Sequence, residues 1–135
     1  MRTFSPAAVA AACLVLAWGA APARADYTPI GGTVYIGSPD DYFQYTGSVD
    51  DATGDIMLTG TLVYDGQPYG VVAEGRVGPS GSKSPPRKRY VASGTATATV
   101  LGEVPVSVAY GPTRDEAVTN FVNNVIAGVL VERMY

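Results

Sequence analysis

The stretch Tyr90-Val91-Ala92-Ser93-Gly94-Thr95-Ala96-Thr97-Ala98-Thr99-Val100, residues 90–100, decides how this chain is read. Its side chains alternate with period two, which is the signature of a half-buried β-strand. One face carries Tyr90, Ala92, Gly94, Ala96, Ala98 and Val100, and the other carries Ser93, Thr95, Thr97 and Thr99. Small residues on a core face leave room for something bulky above it. The next amphipathic segment supplies that bulk. Thr113 with Glu116 three residues later forms a capping box, and Asp115 and Glu116 suit the positive end of a helix. Val118, Phe121, Val122, Val125, Ile126, Val129 and Leu130 then recur at helical spacing. The spacing predicts a helix from about residue 114 to 132, with Phe121 and its neighbours lying over Ala92–Ala98. β-branched residues are mediocre helix formers, so this helix depends on tertiary contact.

Outward from that pair, five further strands are expected: Thr33–Gly37, Tyr42–Val49, Ile56–Tyr64, Tyr69–Val77 and Val104–Tyr110, the last with Val104, Val106, Val108 and Tyr110 inward. Asp65-Gly66 is a strong two-residue hairpin signal. Asp50-Asp51-Ala52-Thr53-Gly54-Asp55 combines an acidic turn start with a glycine suited to positive φ. Residues 78–89, rich in proline, serine and glycine, read as a long mobile basic loop without strand or helix. The fold class is therefore α+β, an antiparallel meander of five to six strands with one C-terminal amphipathic helix on one face.

The first 25 residues read differently. Arg2, an apolar run from Phe4 to Trp18 and the ending Ala23-Arg24-Ala25 are the three parts of a secretory signal peptide. Spanning a membrane takes about 20 apolar residues, and Pro22 and Arg24 end this run too early. The expectation is a cleaved signal, 1–25, and a single domain, 26–135, that is secreted or periplasmic and keeps no membrane span. Cys13 is the lone cysteine and leaves with the signal, so the domain must hold together by packing alone.

After cleavage, seven basic face twelve acidic residues, a net charge of −5. That acidic balance argues against a nucleic-acid partner, which calls for a basic footprint. The charges are also segregated. Eight acids and no base lie between Asp26 and Glu74, and five bases and no acid between Arg76 and Arg89. Such blocks mark candidate contact surfaces as well as solvated loops.

Histidine is absent, and no cysteine remains in the mature chain, which excludes histidine-dependent triads, thiol nucleophiles and the usual zinc sites. No cofactor or metal motif is present. Carboxylate chemistry survives only through Asp40/Asp41 and Asp50, Asp51 and Asp55, whose spacing suits turn capping better than a calcium loop. The leading expectation is a secreted, non-enzymatic binding module for a protein or an anionic cell-surface polymer. Its contact residues would be Lys83, Arg87, Lys88 and Arg89 in the loop and Asp50, Asp51 and Asp55 at the strand ends. The alternatives are a small carboxylate-dependent enzyme acting on polysaccharide, or a structural or accessory subunit of an envelope complex. The helix face bearing Asn120, Asn123 and Asn124 is polar and uncharged, which suits a contact with a partner or a second copy.

Overall fold

A computed structural model describes residues 26–81 and 83–134. The signal expected at 1–25 lies outside the described residues. Strands β1 (Tyr27–Ile36), β2 (Ser38–Asp50), β3 (Asp55–Tyr64), β4 (Gln67–Pro79) and β5 (Tyr90–Ala98) run as an antiparallel meander. Two short strands, β6 (Gly102–Val104) and β7 (Ala109–Gly111), both pair with β5. Helix α1 (Arg114–Arg133) closes the chain. The α+β class, the meander and the single C-terminal helix all hold. No helix among the described residues is long and apolar enough to cross a membrane.

The turns form where local chemistry places them. Asp65 and Gly66 both take positive φ, at 54° and 75°, as a two-residue hairpin of the twisted kind requires. The Asp41 carboxylate accepts from the Asp65 N–H at 2.9 Å and fixes that hairpin from across the strand pair. At the helix start the Thr113 hydroxyl accepts from the Glu116 N–H at 3.1 Å, which satisfies one of the orphan donors of the first turn.

The core lies between the sheet and α1. Ile56, Leu58 and Leu62 of β3, Val71, Ala73 and Val77 of β4, and Ala92, Ala96 and Ala98 of β5 are all buried. From above, α1 buries Ala117, Val118, Phe121, Val122, Val125, Ile126 and Val129. Phe121 is fully enclosed, and its ring tip lies where a Cβ on Gly75 would come within 3.0 Å. Gly75 faces Gly94 across the β4–β5 ladder. The aromatic ring therefore seats on a paired glycine site, one strand broader than the alanine stripe predicts.

Four expectations are corrected. First, β1 begins at Tyr27 rather than Thr33. Pro29, Gly31 and Gly32 are poor strand formers, but an edge strand needs hydrogen bonds on one side only and tolerates them. β2 likewise starts early, at Ser38.

Second, Val104–Tyr110 is not one strand. Val104 faces Ala96 and Ala109 faces Ala92, so five steps on this segment match four on β5. One extra residue between Val106 and Ala109 reverses the facing from there on, while Val106 still packs against the core. Ala109 and Gly111 are buried, while Val108 and Tyr110 turn outward.

Third, Val100 is 96% exposed rather than inward, because β5 ends at Ala98 and Val100 takes φ 74° in the turn. Fourth, the 78–89 segment carries regular structure. Gly78 and Pro79 still pair with Val91 and Tyr90, and Pro86–Lys88 forms a 3₁₀ turn with proline at its first position, where no N–H is needed.

The asparagine stripe has a structural role that its polarity alone does not reveal. The Asn120 amide donates to the Tyr110 carbonyl at 2.7 Å, and the Asn124 amide donates to the Ser107 carbonyl at 2.9 Å. One turn further on, Gly128 lies against the Pro105 carbonyl. Residues 120, 124 and 128 share one helical stripe, and that stripe lies along the segment between β6 and β7. It satisfies carbonyls that a continuous strand would have satisfied by pairing. Of the three asparagines, Asn123 keeps an exposed side chain with no such bond.

Candidate functional site

The strand order brings the two contact regions to the same end of the sheet. β2 ends at Asp50 and β3 begins at Asp55, while β4 ends at Pro79 and β5 begins at Tyr90. The link is direct: the Val77 N–H donates to the Gly54 carbonyl at 2.9 Å, and Asp55 faces Arg76 in the ladder. Asp50, Asp51 and Asp55 thus meet the basic segment at one pole, where the N-terminus of α1 also lies.

Each acid of the 50–55 turn is engaged. The Asp50 carboxylate accepts from the N–H groups of Ala52 at 2.8 Å and Thr53 at 3.2 Å, an aspartate-capped turn. Gly54 at φ 82° completes it, and its N–H donates to the Asp50 carbonyl. The Asp51 carboxylate accepts from the Thr28 hydroxyl at 2.6 Å, tying the turn to β1. Asp55 forms the one ion pair among the described residues, with Arg76 at 2.8 Å.

The Arg76 hydrogen bond, followed by that of Thr53, holds the Asp55 carboxyl below its ordinary value. A lowered pKa in the folded state adds stability that is complete above the ordinary carboxylate range and fades as pH falls through the folded value. The pair is exposed, so the effect is small. The expected result is an acid-side loss of melting temperature in the parent that Asp55→Asn reduces, read from thermal melts between about pH 6 and pH 2.5.

The basic residues are arranged differently. Lys83, Arg87, Lys88 and Arg89 are all exposed, and none pairs with a carboxylate among the described residues. Their backbone is nevertheless held. The Ser80 N–H donates to the Arg89 carbonyl at 2.9 Å, the Ser80 hydroxyl donates to the Lys88 carbonyl, and the Lys88 N–H donates to the Pro85 carbonyl at 2.8 Å. The Lys88 ammonium sits 5.0 Å from the centre of the Tyr110 ring, within cation–π range. That contact exists because the extra residue before Ala109 turns Tyr110 outward.

Two further participants escape a sequence reading. Arg114 opens the helix, where a cation opposes the dipole. Its guanidinium is turned back to donate to the Asp50 carbonyl at 3.2 Å and the Asp51 carbonyl at 3.3 Å. Beside it a groove of about 330 Å³ runs between α1 and the β1–β2 edge, with Ile30, Tyr45, Val49 and Val118 as its apolar lining and Asp51 and Arg114 at its rim. Both depend on contacts more than 60 residues apart in sequence, as in the Arg114–Asp51 bond, and no local pattern signals them.

Among the described residues, no three acidic, histidine or cysteine side chains converge as a metal site would require. The arrangement offers a hydrogen-bonded turn that presents four cations beside a carboxylate turn tied up in hydrogen bonds of its own. Comparisons with protein-family models, curated proteins and solved structures return no match for this chain.

Proposed function

We propose that this protein is an exported, non-enzymatic binding module that recognises a negatively charged protein or cell-surface polymer through the pole built by residues 50–55 and 78–89. The observation that carries this reading is the set Lys83, Arg87, Lys88 and Arg89, exposed and without carboxylate partners among the described residues, on a backbone pinned by Ser80. A held loop loses little conformational freedom on binding, which favours recognition. Asp50, Asp51 and Asp55 fix the neighbouring 50–55 turn through their own bonds to Ala52, Thr28 and Arg76. The export address is part of the same proposal and rests on the reading of residues 1–25.

The test replaces Arg87, Lys88 and Arg89 together by serine. Exposed charge contacts contribute roughly 0.2–1 kcal/mol each, and 1.4 kcal/mol is about tenfold in affinity. Binding to a heparin surface at about 0.05 M salt, where screening is weak, is expected to fall about tenfold, with the thermal melt unchanged. Equal retention of parent and variant removes the basic turn from the contact surface. Full retention in about 0.5 M salt removes electrostatics from the recognition.

A further inference from the structure

The basic turn has a counterpart at the other end of the same chain. β2 begins at Ser38 and β3 ends at Tyr64, and the two strands pair from Tyr42 and Val63 onward. The 36–41 corner and the Asp65-Gly66 hairpin therefore lie side by side, at the pole remote from residues 78–89. Asp40, Asp41 and Asp65 gather there, tied by the bond from the Asp65 N–H to the Asp41 carboxylate at 2.9 Å. None of the three pairs with a cation among the described residues. Arg133, at the end of α1, is engaged with two tyrosines instead. Its guanidinium stands 4.9 Å from the centre of the Tyr64 ring and donates to the Tyr69 hydroxyl at 3.3 Å.

An apolar shelf lies beside these acids. Tyr35, Gly37, Ser38 and Pro39 line a shallow depression of about 400 Å³, with Asp40 next in the chain. Tyr35 is 64% exposed, and its ring centre lies 6.4 Å from that of Tyr42. Gly37 makes the corner possible by taking φ 82°.

The basic turn presents the matching chemistry. Pro85 and Pro86 are exposed beside Arg87, Lys88 and Arg89, and Pro85 holds polyproline geometry at φ −64°, ψ 154°. Proline rings pack on aromatic side chains with little conformational freedom to lose. The cations that follow them then meet carboxylates and tyrosine faces. One molecule cannot make this contact with itself. β4, Gln67–Pro79, runs from one pole to the other, and its thirteen residues span about 40 Å.

We infer that the anionic partner of the basic turn is a second copy of this chain, whose Tyr35–Asp40 shelf receives the turn. The inference rests on the reading of the turn as a contact surface and names what it contacts. A copy is selected over other acidic proteins because both halves of the contact, matched in charge and in shape, stand on one chain. The two surfaces differ, so the contact is head-to-tail. Each molecule keeps a free shelf at one end and a free turn at the other, and association runs past two. The chain is acidic overall, so copies repel at long range, and end-to-end placement brings the opposite charges nearest.

Sedimentation equilibrium of the purified protein reads the mass between about 10 and 500 µM, in about 0.05 M salt where screening is weak. The mean mass is expected to climb with concentration beyond twice the chain mass. In about 0.5 M salt it is expected to return to that of one chain. Two variants separate the surfaces. Arg87→Ser, Lys88→Ser, Arg89→Ser removes the cations of the turn. Tyr35→Ser, Asp40→Asn, Asp65→Asn removes the shelf, leaves Asp41 to hold the hairpin, and suits position 65 because asparagine tolerates positive φ. Each variant alone is expected to keep the mass of one chain with its melt retained. An equimolar mixture is expected to reach twice that mass and stop, because each pair exposes only the disabled turn and the disabled shelf.

A parent that keeps the mass of one chain at the upper concentration overturns the inference. So does a shelf variant that associates as the parent does, or a mixture that stays monomeric. Heparin retention separates this inference from the reading beneath it, since the shelf variant keeps its turn and is expected to bind as the parent does. A parent that binds heparin through the turn without self-association sinks the inference alone. A parent that does neither removes the turn as a contact surface.

Discussion

Phe121→Ala is expected to destabilise the fold by about 3–5 kcal/mol, the range for truncating a buried aromatic residue. Domains of this size hold roughly 5–15 kcal/mol in total, so this one side chain accounts for about a fifth or more. Phe121 is fully enclosed, and the surface beneath it is Gly75, paired with Gly94. Neither glycine has a side chain that could move into the space left by the ring. The sheet backbone cannot collapse into it either, because Gly75 and Gly94 are held in the β4–β5 ladder. Much of the void therefore persists, which puts the change at the expensive end of the range. Urea unfolding followed by far-ultraviolet circular dichroism measures it: the midpoint falls and the slope is retained. A loss below about 1 kcal/mol would show that α1 is not what holds the sheet face closed.

Gly128→Ala is the second large effect, and its sign is the informative part. By helix propensity alone, glycine to alanine inside a helix stabilises by roughly 0.5–1 kcal/mol. Here the added methyl would lie 1.9 Å from the Pro105 carbonyl oxygen, a distance no real contact allows. The obstacle is backbone, so either the helix end or residues 105–108 must shift. Shifting the segment stretches the Asn124 bonds to the Ser107 and Val108 carbonyls at 2.9 and 3.4 Å. Overpacking of this kind costs about 1–3 kcal/mol. The expected result is a lower melting temperature despite better helix propensity, with faster amide exchange in Ala109–Gly111. A variant more stable than the parent would mean that the helix and this segment are not in contact.

These two residues mark where a linear reading succeeds and where it stops. The stripe of alanines in β5 implies a bulky partner, and Phe121 stands on the face that provides it. Periodicity suffices for that because both patterns are local. For Gly128, Asn120 and Asn124 the same reading sees only a small, polar helix face and assigns it to a partner. Their real neighbour is the carbonyl row of residues 105–110, whose position follows from one extra residue opposite β5. Such an insertion has no signature in composition, since Pro105 alone does not say whether the strand ends, bends or skips. The acids of the 50–55 turn are legible as turn residues, and the Asp50 bonds to Ala52 and Thr53 bear that out. Arg114 and the Thr28–Asp51 tie are not legible, because each joins distant segments.

By itself, the amino-acid order determined which stretches become strands, where Asp65-Gly66 turns, where Thr113 starts the helix and which face of each element is apolar. These depend on φ preferences, side-chain branching and periods of two and 3.6, all of which act over a few residues. Only the tertiary structure decided that Tyr110 faces out and meets Lys88, that the acids of the 50–55 turn and the basic 78–89 segment share one pole, and that β1 stands at the edge of the sheet. Those outcomes depend on which strand lies beside which and in what register, and register is set by contacts between residues far apart in the chain.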